Sequence, residues 1–212
     1  FEDNVVTNGE ILMEIGSAEN IIVRNNLFVS NNSGAANSIL IGSTNNFDYI
    51  PSQNIKFYGN TFVLNKGTFL KVKNQTAYMS SALDHSSIEV RDNIIYTRDN
   101  NILNNEETAG GITFSNNLYY VPSGSVSNLT FDGQNWGVWR TAGQDANSVF
   151  GNPLFVDYSY QEGANGFYTD DDNFGLEAVS PAIGQGVNLG AKLYYYFNQG
   201  VRGESVNIGA FK

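Results

Sequence analysis

A short phrase with alternating apolar and polar positions recurs along the first half of the chain. Each copy is apolar at its second and fourth residues, ends in asparagine and is followed two residues later by a large apolar side chain. The copies span residues 20–26, 54–60, 87–93 and 111–117, and a clipped copy covers residues 1–4. Their closing asparagines stand at positions 4, 26, 60, 93 and 117, so the steps are 22, 34, 33 and 24 residues. Steps of that length indicate stacked supersecondary units.

The alternation within each copy predicts a β-strand with one buried face. We expect the second and fourth residues to point inward and the third and fifth residues to point outward. Further apolar stretches lie between the copies, at residues 11–15, 38–41, 68–72 and 101–103, and a large apolar residue follows each closing asparagine at Phe28, Phe62, Ile95 and Tyr119. Each repeat is therefore predicted to contain at least two strands, with a third after the asparagine.

The recurrent asparagine has a physical explanation in such a stack. Strands of adjacent repeats lie about 4.8 Å apart, so side-chain amides at the same bend can hydrogen-bond from one repeat to the next. Asparagine also tolerates the left-handed backbone that a sharp bend requires. We therefore predict an asparagine ladder along the bends.

This pattern resembles the right-handed parallel β-helix of pectate-lyase-like proteins over residues 1–123. The alternative is an antiparallel β-sandwich with asparagine-rich turns. The resemblance implies an all-β solenoid with an asparagine ladder, and we expect residues 1–123 to be β-helix coils that are truncated at the N-terminus.

The last third of the chain is similar to the closing segment of many bacterial extracellular β-helix proteins. The similar stretches are Asn-Pro-Leu-Phe-Val-Asp at 152–157, Ser-Pro-Ala-Ile at 180–183 and Asn-Ile-Gly-Ala-Phe at 207–211. Asn152, Asn207 and Lys212 depart from the usual pattern, which has two aspartates and a glutamate there. The resemblance implies that residues 124–212 form the last coil or coils and a C-terminal cap, which would cover open strand edges.

The composition of the chain argues against some classes of binding partner. The chain has 21 acidic and 11 basic residues, a net charge of −10, and no cysteine. That balance argues against nucleic acid and against anionic membrane surfaces, since both favour clustered Lys and Arg. No apolar run reaches the roughly 18 residues of a membrane span. We expect a monomer that is secreted, periplasmic or attached to the cell surface, with a polysaccharide or glycan as its partner.

The outward positions of the repeat supply the main candidate site. They align Arg24, Tyr58, Arg91 and Ser115 in one row, and Ile22, Lys56, Glu89 and Thr113 in the next. A lyase acting on a uronic-acid polymer needs a base and a group that neutralises the substrate carboxylate. Lys56, Tyr58, Glu89 and Arg91 are the catalytic candidates, and Arg24 is a candidate for substrate binding. The alternative is a solvated face with weak surface ion pairs.

Other candidates lie outside those rows. Lys71 and Lys73 could bind an acidic glycan from a second sheet, or could instead protect a sheet edge. Asp170, Asp171 and Asp172 could hold Ca²⁺, although a solvated acidic loop is the alternative and no metal is required by the sequence. His85 is the only histidine and is expected to be incidental. Trp136 and Trp139 are expected to attach the cap to the last coil, with a sugar platform as the alternative.

These observations predict an extracellular carbohydrate-active protein, of the polysaccharide lyase or glycoside hydrolase type. A glycoside hydrolase would need two facing carboxylates, and no pair has a spacing that singles it out. The alternative is a non-catalytic module, such as a surface adhesin or a structural or glycan-binding segment.

Overall fold

The computed structural model describes residues 1–7, 9–30, 37–42, 51–73, 85–106, 111–158, 172–187 and 206–211. This part of the chain is nearly all-β. Its strands are β1 (Val5–Thr7), β2 (Met13–Ile15), β3 (Glu19–Arg24), β4 (Leu27–Ser30), β5 (Asn37–Ile41), β6 (Gln53–Tyr58), β7 (Thr61–Leu64), β8 (Thr68–Val72), β9 (Ser86–Arg91), β10 (Ile94–Thr97), β11 (Asn101–Asn105), β12 (Ile112–Ser115), β13 (Leu118–Tyr120), β14 (Thr130–Phe131), β15 (Gln134–Asn135), β16 (Val149–Phe150), β17 (Phe155–Asp157) and β18 (Asn173–Leu176).

The described residues include two short helical segments. A single 3₁₀ turn spans Val126–Asn128, and helix α1 spans Trp136–Thr141. No helix within the described ranges is long and apolar enough to cross a membrane.

Strands β1 to β16 are distributed over three sheets, and β17 and β18 form a separate antiparallel pair. Sheet A contains β3, β6, β9 and β12, sheet B contains β1, β4, β7, β10, β13 and β16, and sheet C contains β2, β5, β8, β11, β14 and β15. From β2 to β13 the chain visits sheets C, A and B in that order four times. Each repeat therefore contains three strands, and the predicted third strand after the asparagine is confirmed.

The strands pair in parallel, as stacked repeats require. In sheet A, Ile21 lies in register with Ile55, Ile55 with Ile88, and Ile88 with Ile112. The pairings described within sheets A, B and C are all parallel except that between β14 and β15. The antiparallel sandwich is therefore wrong.

One face of each sheet contributes to a shared apolar core. Phe57 from sheet A, Phe62 from sheet B and Leu70 from sheet C are all buried in one cluster. The large apolar residues that follow the ladder asparagines, Phe28, Phe62, Ile95 and Tyr119, all belong to it. We call the face toward this core the inner face of each sheet, and the opposite face its outer face.

The predicted asparagine ladder is present. The Nδ2 of each ladder residue donates to the Oδ1 of the next, from Asn4 to Asn26 (3.1 Å), Asn26 to Asn60 (3.0 Å), Asn60 to Asn93 (3.0 Å) and Asn93 to Asn117 (3.2 Å). The same Oδ1 atoms accept the backbone N–H of the preceding ladder residue. The ladder therefore satisfies the backbone as well as the side chains at each bend.

The left-handed residue at each bend is not the ladder asparagine. Positive φ angles occur one residue earlier, at Asp3, Asn25, Gly59, Asp92 and Asn116, with values between 54° and 60°. That residue turns the chain, and the asparagine after it can then direct its amide toward the neighbouring repeat. The sequence interpretation gave both roles to one residue, and the structure divides them between two.

The outer face of sheet B is covered by the C-terminal part of the chain. Leu27, Val63 and Ile94 on that face pack with Phe174, Phe211 and other residues of the closing segment. The backbone N–H of Ala210 donates to the Thr61 Oγ1 at 3.0 Å, so the segment reaches back to the second repeat. The described closing residues thus lie along a sheet face, whereas we had expected them to cover the edges of the last strands.

Helix α1 lies near the C-terminal end of the core. Trp139 is buried and stacks on Phe131, with ring centroids 5.0 Å apart, and Trp136 packs against Tyr119. Because Trp139 is buried against the core, it is not a sugar platform. Its position agrees with the expected packing of the two tryptophans on the last repeat.

Candidate functional site

Sheet A is the parallel sheet whose outer face is most open among the described residues. Strands β3, β6, β9 and β12 alternate between buried and more exposed side chains, whereas β4 and β7 of sheet B are buried along their whole length. Ile22, on β3, has 43% of its surface exposed. A ligand approaching this face meets side chains directly.

The two predicted outward rows are present in register. Arg24 aligns with Tyr58, Tyr58 with Arg91, and Arg91 with Ser115. Ile22, Lys56, Glu89 and Thr113 align in the same way in the neighbouring row. The four residues predicted as catalytic thus share one face, on adjacent strands β6 and β9.

Three of these residues form a closed cluster. The Tyr58 hydroxyl donates a hydrogen bond to the Glu89 Oε2, and the Arg91 Nε lies 3.3 Å from the Glu89 Oε1. The Arg91 guanidinium also lies over the Tyr58 ring, 4.7 Å from its centroid. The Glu89 carboxylate is thus engaged from two sides, by the Tyr58 hydroxyl and by the Arg91 guanidinium, although the buried Arg91 Nε makes no hydrogen bond within the described residues.

The cluster keeps Tyr58 protonated. Burial, followed by the hydrogen bond to Glu89 and the charge of that carboxylate, raises the pKa of Tyr58 well above its ordinary value of 10.0. A neutral phenol that donates to a carboxylate is not a base at physiological pH. Tyr58, one of the four catalytic candidates, therefore has no support as a base in this geometry.

Arg24 has its own carboxylate partner. Its guanidinium donates to and pairs with the Glu2 Oε2, and Glu2 lies in register with Arg24 beside β3. The sequence contained this information, because aligning the clipped copy at residues 1–4 with residues 23–26 places Glu2 next to Arg24.

Lys71 and Lys73 do not join these rows. Lys71 lies on β8 of sheet C, where its Nζ is 2.6 Å from the Glu106 Oε1, and Lys73 follows the same strand. The structure therefore separates these two lysines from Arg24, with which they were grouped as substrate-binding residues.

Glu19 and Glu89, on strands β3 and β9 of sheet A, are too far apart for glycoside hydrolysis. Glu19 aligns with Gln53 and Ser86, so it stands two strands and three residues away from Glu89. Strand spacing and rise place the two roughly 14 Å apart, whereas a hydrolase needs roughly 5 to 9.5 Å. Asp92 is closer to Glu89 in sequence but is 1% exposed.

No metal site is formed by the described residues, since they contain no group of three His, Asp or Glu side chains that could hold an ion. Of the predicted Ca²⁺ candidates, Asp170 and Asp171 lie outside the described residues and Asp172 is the first residue after that gap. His85 is buried, and its Nδ1 accepts the backbone N–H of Ser52 at 2.8 Å, so it has a structural contact.

The sequence interpretation missed a buried carboxylate, Asp145, which lies at the end of the asparagine ladder. Asp145 accepts hydrogen bonds from the Trp139 Nε1 (2.7 Å), the Ser148 Oγ (2.6 Å) and the Tyr119 hydroxyl (3.0 Å). The Ser148 Oγ also accepts the backbone N–H of Asn117, which makes Ser148 the last rung. Burial raises the pKa of Asp145, against the effect of its donors.

Comparison of the chain with protein-family models, with curated proteins and with solved structures finds no match. The functional interpretation therefore depends on the repeat and on the geometry of the sheet A face.

Proposed function

We propose that this chain is a non-catalytic module that binds an extracellular polysaccharide along the outer face of sheet A. The observation that carries the proposal is the in-register rows of outward side chains on four parallel strands. Strands about 4.8 Å apart present such side chains at a regular pitch, which suits a ligand that is itself a repeating chain. The module is secreted, periplasmic or attached to the cell surface.

We further propose that the three-strand repeats close into a right-handed parallel β-helix. The repeated order of sheets C, A and B supports this, because connections between parallel strands are right-handed in nearly all known cases. Residues 1–123 would form β-helix coils. Residues 124–212 would form the last coil or coils and the capping segment.

A binding role fits the side chains better than a catalytic role. Tyr58 and Arg91 both engage the Glu89 carboxylate, and the Tyr58 phenol stays protonated. A lyase needs a base free to take a proton from the substrate, and a hydrolase needs two facing carboxylates. We therefore favour a glycan-binding segment of an adhesin or of a structural protein over a lyase or a hydrolase.

The proposal is tested by comparing two lysine variants. Affinity electrophoresis in gels that contain single polysaccharides would first identify a bound polymer. Lys56→Ala, in the outward row of sheet A, is expected to weaken that binding about tenfold, the effect of losing roughly one hydrogen-bonding group. Lys71→Ala, on sheet C, is the matched control and is expected to bind like the wild type.

Two results would count against the proposal. Equal losses in the Lys56→Ala and Lys71→Ala variants would place the ligand elsewhere. Release of unsaturated sugars from any polymer, followed by ultraviolet absorbance with and without Ca²⁺, would show an enzyme instead of a binding module.

A further inference from the structure

The two outward arginines of sheet A are each held by a carboxylate of the protein. Arg24 pairs with Glu2, and the Nε of Arg91 lies 3.3 Å from the Glu89 Oε1 and 3.7 Å from the Asp92 Oδ2. An arginine recognises an anionic ligand through its fork of N–H donors. Here the Nε and one terminal nitrogen of Arg24 face Glu2, and the Nε of Arg91 faces Glu89 and Asp92.

A ligand carboxylate would meet strong competition at Arg91. Glu89 is fixed from two sides, by the Tyr58 hydroxyl and by Arg91 itself, and Arg91 in turn lies over the Tyr58 ring. An incoming anion would have to displace Glu89 from both partners or remain beside its negative charge. Like charges at such distances repel, so neither arrangement favours an acidic ligand.

The charges on this face also balance. Its described cationic side chains are Arg24, Lys56 and Arg91; the two arginines are paired with Glu2 and Glu89, and the exposed Glu19 adds a third carboxylate on strand β3 of the same sheet. The whole protein carries a net charge of −10. A polyanion therefore finds no local excess of positive charge to offset the repulsion from the rest of the molecule.

The remaining outward groups suit an uncharged ligand with many hydroxyls. Amides and hydroxyls accompany the charged residues on all four strands, at Asn20, Asn54, Ser87, Thr113 and Ser115. Such groups both donate and accept hydrogen bonds, as sugar hydroxyls require. The exposed Ile22 adds an apolar contact for the carbon face of a sugar ring.

We infer that the polysaccharide bound on sheet A is uncharged, and that Glu2 and Glu89 exclude acidic polymers by occupying Arg24 and Arg91. This inference rests on the proposed binding function and names its ligand class. An uncharged ligand thus takes the place of the acidic glycan that the sequence predicts from the two arginines alone.

Direct binding to neutral and acidic polymers tests the inference. Wild-type protein would be titrated with neutral glucans, mannans and xylans and with a polyuronate, at low and at high salt. We expect binding to at least one neutral polymer, with an affinity unchanged by salt, and at least tenfold weaker binding to the polyuronate. Tighter binding to the polyuronate would overturn the inference and leave the proposed function standing, whereas binding to no polymer would overturn both.

A double variant tests the excluding role of the two carboxylates. Glu2→Gln with Glu89→Gln keeps side-chain shape and removes both charges, so it is expected to gain salt-sensitive binding to the polyuronate of at least tenfold over the wild type. An unchanged thermal unfolding midpoint would show that the fold is retained, and Glu2→Gln alone, at an exposed pair, serves if the double variant does not fold. No gain by a folded variant would contradict the inference.

Discussion

At the scale of single residues, the asparagine ladder depends on buried amides that have several partners each. The Nδ2 of Asn60 donates to the Val23 carbonyl oxygen at 2.9 Å and to the Asn93 Oδ1, and its Oδ1 accepts the backbone N–H of Asn26 at 3.0 Å. Removing the amide leaves buried backbone groups without partners. A buried unsatisfied group costs about 1–3 kcal/mol, more than a typical hydrogen bond contributes.

We therefore expect Asn60→Ala to lower the free energy of unfolding by about 3 kcal/mol. Thr113→Ala is the control, because Thr113 is an exposed residue of sheet A and its loss is expected to cost less than about 0.5 kcal/mol. Urea denaturation of the three proteins measures the difference. Equal stability of the two variants would show that the ladder contributes nothing beyond the backbone pairing.

A second residue, Asp145, makes the stability of the protein depend on pH. Burial raises its pKa above the ordinary value of 3.8, so the folded state binds the proton more tightly than the unfolded chain. Its contribution to stability is therefore complete below that ordinary value and declines as the pH rises through the raised pKa. Asp145→Asn lacks this titration.

We accordingly expect the difference in unfolding free energy between wild type and Asp145→Asn to shrink as the pH rises from acid toward neutrality. Denaturant unfolding across that range measures it, and the titrations that both proteins share cancel in the difference. A difference that grows with pH would mean that the hydrogen-bond donors around Asp145 outweigh its burial.

The ladder was predictable from sequence and Asp145 was not. Asn26, Asn60, Asn93 and Asn117 recur at one place in a repeated phrase, and a period can be read directly. The last rung is a serine, Ser148, outside any copy of the phrase. Since nothing repeats there, the buried carboxylate that closes the ladder had no periodic signal.

At the scale of elements, the closing segment is seated on sheet B by close backbone contact. Gly209 has a φ of +88°, and a Cβ at this position would lie 2.6 Å from the Ile94 Cδ1 and 3.0 Å from the Thr61 Oγ1. At Gly133, which has a φ of +75°, an added Cβ would have no atom within 4 Å. Because both glycines have a positive φ and only Gly209 has close neighbours, alanine substitutions at the two positions separate backbone strain from steric overlap.

We expect Gly209→Ala to destabilise the protein by about 2 kcal/mol more than Gly133→Ala, because both incur the left-handed penalty and only the first overpacks an interface. Thermal and urea unfolding of both variants measure the difference. Equal losses would indicate that the segment adapts without leaving the sheet.

The sequence does indicate that the outer face of sheet B is covered, although the prediction did not use this. Strands β4 and β7 read Leu-Phe-Val-Ser and Thr-Phe-Val-Leu, so apolar residues occur on both faces. A parallel strand that is apolar on both faces is covered on both faces. What covers the outer face could not be read, because the closing segment is distant in sequence and follows no period.

At the scale of the whole molecule, the sequence predicted the parallel sheets and the in-register outward rows, because both follow from periodicity. It did not predict how the charges of those rows are used. The pairing of Arg91 with Glu89 depends on the side-chain directions of neighbours on one strand and of Tyr58 on the next. Because Glu89 already pairs with Arg91, the expected ligand is an uncharged polymer and not the acidic polymer that the sequence predicts.

The proposed function requires that polysaccharide binds on the outer face of sheet A. Hydroxyl-radical footprinting, with and without saturating polymer, tests it in one measurement. Bound polymer is expected to protect Ile22 and Tyr58 on that face, while the exposed Val138 and Val179, which lie outside sheet A, keep their reactivity. Protection of Val138 or Val179 with Ile22 and Tyr58 still reactive would contradict it.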